Sequence, residues 1–413
     1  MASSSSNNPY IALKIPEFRL FIAGRFCFTL AMQIQAVIVG WQVYDLTKDP
    51  FSLGLIGLAE AIPSIVVALY AGHLADIKSR KKIIIFGNLV LIFCLITLFA
   101  YSLNLKNLIG RFGVLPIYSV IFLTGIARGF ISPVVFSFMS QILPSKSLYP
   151  NAVSWNITVW QAASVGGPAV GGLIYGFFGL SVAYAAGLCL IFSAFILFSQ
   201  IVAKPLPETP QEFQKRESLL TGIRFVFNNR LILNAMSLDL FAVLFGGAIA
   251  LLPIFASDIL QAGPQGLGFL RSPPAIGSIL IGLYLTHHPI GKNAGKKMLM
   301  AVTGFGICMI LFGISTNYYL SLILLLLSGV FDSISVIVRH TLMQTLIPEH
   351  LKGRVSSVNS IFVGSSNEIG AFESGLTASM MGAATSVIFG GAMTLLVVIF
   401  TAFKAKKLRE LNL

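Results

Sequence analysis

Long apolar runs, each able to cross a bilayer and separated by short polar loops, set the first constraint on this chain. A hydrocarbon core of about 30 Å takes roughly 20 apolar residues as a helix. Inside it every backbone N–H and C=O must find a partner within the protein, and a single apolar run manages that only as a helix. Runs bounded by Pro, Gly, Asn or charge lie near 18–44, 51–73, 83–103, 116–140, 149–176 and 181–203, then 231–257, 265–287, 298–316, 319–344, 355–380 and 384–403. The chain therefore reads as an all-α membrane protein of twelve transmembrane helices. Composition supports this where it bears on the point. Only 10% of the residues are charged, against roughly 25% in a soluble domain, too few to cover a water-facing surface.

The net charge of +13 can signal nucleic-acid binding. Here the charges sit in short clusters between apolar runs, and nucleic acid is not an expected partner. Cys27, Cys94, Cys189 and Cys308 all lie within apolar runs, without the spacing of a zinc site or a disulfide framework. No metal site is expected. Residues 1–15 begin with a Ser/Asn-rich stretch and read as a disordered cytoplasmic tail. No removable signal peptide is apparent, so the first span is expected to act as its own insertion signal.

Cytoplasmic loops of membrane proteins carry an excess of Lys and Arg. With the N-terminus inside, the cytoplasmic side collects the loop and tail cations, and the outer side holds only Lys48, Lys106 and Arg111. Arg25, Arg128, Arg271 and Arg339 fall within or at the ends of spans. Both termini are then cytoplasmic, which requires an even number of spans.

The longest polar stretch, 204–229, reads as a cytoplasmic linker between a bundle at 16–203 and a second at 230–403, with a basic cytoplasmic tail at 404–413. Internal similarity supports two pseudo-symmetric six-helix bundles. Asp49-Pro50-Phe51-Ser52-Leu53-Gly54 aligns with Gly263-Pro264-Gln265-Gly266-Leu267-Gly268, and Ser64-Ile65 with Ser278-Ile279, at a common offset of 214. Further along, Ser154, Asn156, Gly167 and Gly172 match Ser357, Asn359, Gly370 and Gly375 at a common offset of 203. Parallel repeats of this kind put a substrate site near the midplane between the halves.

Two motifs point to a family. Gly72-His73-Leu74-Ala75-Asp76-Ile77-Lys78-Ser79-Arg80-Lys81-Lys82 follows the second span. It resembles the loop 2–3 signature of the major facilitator superfamily, a gate element whose carried-over positions are Gly72, Asp76, Arg80 and Lys81. The sequence departs from that pattern at Ile77, usually basic, and Ser79, often Gly. The fifth span contains Gly166-Gly167-Pro168-Ala169-Val170-Gly171-Gly172. It resembles the antiporter signature of the same superfamily, carried by Gly167, Pro168, Gly171 and Gly172, and this resemblance implies export. Arg128 resembles the arginine of a third signature, linked to proton coupling, although Ile131 and Ser132 replace the residues expected after it. Gly40-Trp41-Gln42-Val43-Tyr44-Asp45-Leu46-Thr47 is similar to the branch holding enterobactin-exporter and macrolide-efflux-like proteins.

Ionisable residues inside spans are costly and usually face a cavity or a partner. Glu60, Arg128, Asp239, Asp332 and Glu368 fall close to mid-membrane at about 1.5 Å per residue, with Arg25 lower and Glu373 higher. Asp332 and Arg339 are seven apart and return to one helical face. A carboxylate there can load and release a proton as water access alternates. Glu368 ranks first for this role, then Asp239 and Glu60, with Arg128 and Arg25 as tuning cations. Trp160 is a candidate for lining the cavity. For each of these residues, a static packing role is the competing explanation.

The expected function is a secondary active, proton-coupled exporter of a small amphiphilic organic molecule such as a drug or siderophore. It would work by alternating access, as a monomer in a bacterial inner membrane, with no cofactor and a proton gradient as driving force. An importer, a lysolipid flippase or a transport-inactive receptor remains the alternative. No Ser/His/Asp constellation and no Gly-x-x-x-x-Gly-Lys-Ser/Thr loop is present, so the chain does not read as an enzyme.

Overall fold

The computed structural model describes residues 10–103, 112–202, 215–288 and 293–411. The tail at 1–9, Lys106, Arg111, residue 203 and 204–214 of the expected linker lie outside the described residues, as do the packing around Gly72 and the side chain of Asp76. Helices α1 (Pro16–Thr47), α2 (Pro50–Ile77), α3 (Arg80–Leu103), α4 (Leu115–Ile142), α5 (Tyr149–Phe178) and α6 (Leu180–Gln200) match the first six runs. A short helix α7 (Lys215–Asn228) precedes the second set.

The seventh and eighth runs are each broken. The seventh becomes α8 (Arg230–Phe245), α9 (Ala248–Ile254) and a π-helical turn at Phe255–Ile259. Gly246 and Gly247 open the first break, and Pro253 lies in α9 just ahead of the π turn. The eighth becomes α10 (Gly263–Arg271) and α11 (Pro273–His287), broken where Pro273 and Pro274 cannot supply backbone N–H donors. Then come α12 (Ala294–Ile314), α13 (Tyr318–Leu346), α14 (Glu349–Met381), α15 (Ala383–Lys404) and the short α16 (Lys406–Arg409). Eleven described stretches are long and apolar enough to cross a membrane. The eleventh expected span, 355–380, is not among them; it lies within the 33-residue α14, which carries Asn359, Asn367, Glu368 and Glu373 along its length.

The chain divides into two compact units. The first comprises residues up to Val39 together with Ile62–Thr209; the second comprises Gly40–Ala61 and the chain from Pro210 onward. The hairpin joining α1 to α2 thus belongs with the second half.

In the first unit α3 packs on α4 and α6. Phe21 of α1 is its aromatic hub, stacked on Phe18 and angled against Phe138 of α4 and Phe198 of α6, with centroids 6.2–6.4 Å apart. In the second unit α12 packs on α13 and α15, α11 on α13, and α14 on α7, α8 and α15. Asn229 caps α8, accepting from the backbone N–H groups of Leu231 and Ile232.

Candidate functional site

The second unit holds a buried ion pair built from three helices. Asp239 on α8 and Arg339 on α13 meet at 3.0 Å (Oδ2 to Nη2), with side chains 5% and 3% exposed. Arg339 Nη1 donates to Asn359 Oδ1 on α14 at 2.7 Å. Two charges withdrawn from water are tolerable only when closely paired and hydrogen-bonded. Helical spacing makes the pairing possible: Ser328, Asp332, Ser335 and Arg339 recur at steps of four, three and four residues, a single polar stripe on α13. Asp332 is half-buried on that stripe, within electrostatic reach of both Asp239 and Arg339.

The hairpin of the second unit is closely packed. A Cβ on Gly54 would lie 3.1 Å from Gly375 Cα, and one on Gly375 would lie 2.6 Å from both Gly54 N and Cα. Backbone therefore meets backbone, as small residues allow between membrane helices. Phe51 meets Phe372 edge-on at 5.9 Å. At Gly57 the same helix lies against Glu368, whose Oε2 is 3.6 Å from the Cβ position, and Glu60 follows one turn along. Glu373 is half-buried on α14. The Tyr44 hydroxyl donates to Asp258 in the π turn.

In the first unit Arg25 on α1 and Arg128 on α4 are both half-buried. Trp160 on α5 is 46% exposed. The glycine motif of α5 packs against α1: a Cβ on Gly167 would lie 2.5 Å from Gln33 Cβ, and one on Gly171 would lie 3.1 Å from Ile34 Cα. Pro168 and Gly172 are buried beside them. Arg80 Nη1 donates to Ser137 O at 3.0 Å, and Lys81 Nζ to Ser199 O at 2.6 Å near the end of α6. Cations suit carbonyls at a helix C-terminus.

Sequence reasoning did not assign Asn359 or the Tyr44–Asp258 bond to the site. Both left a trace. Asn359 is the repeat partner of Asn156. Tyr44 and Asp258 are 214 residues apart, the offset of the other repeat alignment.

Membrane-length helices enclosing a buried network of charges, stitched by glycine seams, define a membrane transporter rather than an enzyme. Residues 7–413 match the family model of transmembrane secretion effectors, and the chain belongs to that family, within the major facilitator superfamily. It is 24% identical over 399 residues to the enterobactin exporter EntS of Shigella dysenteriae serotype 1 (strain Sd197), covering 96% of this chain and 93% of that protein. Identity to EntS of Escherichia coli O81 (strain ED1a) is 25% at the same coverage. Among solved structures, the POT family transporter PepTSo superposes with a TM-score of 0.73 at 14% identity, covering 95% of this chain and 98% of that one. The nucleoside transporter NupG gives 0.71 at 13%, covering 94% and 99%. These likenesses bear on the fold alone.

Proposed function

We propose that this transporter exports a small amphiphilic, siderophore-like organic molecule in exchange for protons, by alternating access. The export direction is supported by the EntS relatives and by the Gly167–Gly172 motif, whose glycines seat α5 against α1. The observation that carries the coupling is the buried Asp239–Arg339 pair with Asp332 on the same polar stripe. A carboxylate held against a fixed guanidinium stays ionised while the pair is closed. It becomes a proton acceptor when a rearrangement draws the two apart, because an unpaired buried charge is costly. Arginine cannot lose its proton under these conditions, so the carboxylates carry the exchange. Asp239 and Asp332 are the coupling acids in this reading, with Glu368 and Glu60 beside the glycine-packed hairpin as a second candidate set. The protein works as a monomer in a bacterial inner membrane with both termini cytoplasmic, driven by the proton gradient.

The test is flux from proteoliposomes under an imposed pH gradient, using enterobactin as first substrate, with wild type, Asp239→Asn and Glu368→Gln. Gradient-dependent flux that Asp239→Asn abolishes is the expected result. Flux indifferent to the gradient would end the proton-coupling claim. A loss confined to Glu368→Gln would move coupling from α8 to α14.

A further inference from the structure

The basic tail is built into the second unit as far as Leu411. After α15 ends at Lys404, the short α16 (Lys406–Arg409) lies against α12 and α8. Leu408 is fully buried, in one apolar cluster with Ala294, Met298 and Ala405. The Leu411 carbonyl accepts from the Gly295 N–H at 3.2 Å, which satisfies one of the backbone donors that a helix leaves open in its first turn. Gly295 makes this docking possible, because a Cβ there would lie 1.6 Å from Leu408 O.

Docking gathers charge. Lys296 and Lys297 follow Gly295 directly, Lys406 and Arg409 stand on either side of Leu408, and Lys404 precedes them at the end of α15. Arg230 opens α8, the other helix that α16 touches. All six side chains are exposed. The segments that carry them, 229–234, 293–300 and 400–413, contain a single acid, Glu410. Like charges held together at one rim repel, and an anion bound among them lowers that cost. The surface alongside is apolar. Met300 lies one turn along α12 from Lys296, Phe400 and Phe403 lie within a turn of Lys404, and all three are exposed. Lys404 Nζ sits 4.5 Å from the centroid of the Phe400 ring. Its aliphatic stem thus covers aromatic surface while its charge stays at the edge.

We propose that α16, docked on α12, builds a binding site for an anionic phospholipid. The headgroup phosphate is held among Lys296, Lys297, Lys404, Lys406 and Arg409, and the acyl chains lie along Met300, Phe400 and Phe403. Arg409 offers a fork of donors to phosphate oxygens, and the lysines offer point charges. In the orientation proposed above the site meets the inner leaflet, the anionic one. It belongs to the second unit alone and is independent of the transported molecule and its coupling.

The experiment is titration calorimetry on the full-length protein in dodecyl maltoside. The probes are dioctanoyl-phosphatidylglycerol, dioctanoyl-phosphatidylcholine and inorganic phosphate. Wild type is expected to bind the phosphatidylglycerol at least roughly tenfold more tightly than the phosphatidylcholine, with millimolar phosphate failing to compete. Replacing Lys296, Lys297, Lys406 and Arg409 together by Gln should remove the preference and leave the thermal midpoint in place. Leu408→Ser loosens the tail yet keeps every cation, and should also lose most of the preference. Where Leu408→Ser does not fold, Leu408→Ala takes its place and is read in the same way. Absence of the preference in wild type overturns the site, as does a preference that survives the Gln substitutions. A preference unchanged in the Leu408 variant means diffuse attraction to a basic surface and overturns the docked site. Competition by phosphate marks a soluble-anion site and overturns the lipid assignment.

Discussion

The two units handle membrane-buried charge in opposite ways. The second encloses Arg339 between Asp239 and Asn359 at 3.0 and 2.7 Å. The first holds Arg25 with no ion pair among the described residues and with the Phe28 ring beside it, 6.0 Å from the guanidinium carbon. A closed pair holds its helices together and resists change until something pulls it open. A cation held only against an aromatic ring adds little to stability. The same residue type is therefore tied into an ion pair in one unit and set against an aromatic ring in the other. Electrostatic surroundings decide which, because the desolvation cost of a guanidinium is offset only where an anion is supplied.

The largest effect should come from breaking the closed pair. Arg339→Met leaves Asp239 buried without its counter-ion and should cost about 3–5 kcal/mol of unfolding free energy, read as a lower thermal midpoint in detergent. Adding Asp239→Leu should restore most of it. A double variant no better than the single would mean that the pair is not the source.

The glycine seams extend the comparison. Gly375→Val drives a side chain into the backbone of Gly54 and should cost about 2–3 kcal/mol. Gly187→Ala in α6 meets only Leu95 methyl carbons at 3.6 and 3.9 Å, ordinary van der Waals contact, and should change stability by no more than about 1 kcal/mol. If the two substitutions are equally harmful by thermal unfolding, the distinction between a glycine pressed on backbone and one in ordinary contact is wrong. Tyr44→Phe removes one hydrogen bond to Asp258 and should cost about 1 kcal/mol. No change in midpoint would show that the bond contributes nothing.

The smallest effect, and the one of opposite sign, is expected at Arg25→Met. Removing a cation that has no ion pair among the described residues should leave stability within about 0.5 kcal/mol or raise it. A fall comparable to that of Arg339→Met would erase the contrast between the units.

Much of the fold was legible in the sequence. Apolar runs fixed the spans because lipid leaves the backbone no alternative to internal hydrogen bonds. The breaks at Gly246–Gly247 and Pro273–Pro274 were less legible, since a hydropathy pattern continues across them while the backbone does not. The polar stripe on α13 could be read from spacing, and Asp332 and Arg339 were placed on it. That Arg339 reaches Asp239 rather than Asp332 could not be read, because it depends on how α8 lies against α13. Asn359 was visible only as a repeat match, with no sign that it would complete the network.

By itself the sequence determined which segments enter the membrane, that the chain is a doubled six-span plan, and which charges lie within its spans. All of these follow from local composition and the energetics of transfer into lipid. Only the tertiary structure decided which charges meet. It closed Arg339 on Asp239, set Gly54 against Gly375 and grouped Gly40–Ala61 with the second unit. Partners in a charge network are chosen by distances of a few ångströms between helices far apart in sequence, and no local pattern encodes those distances.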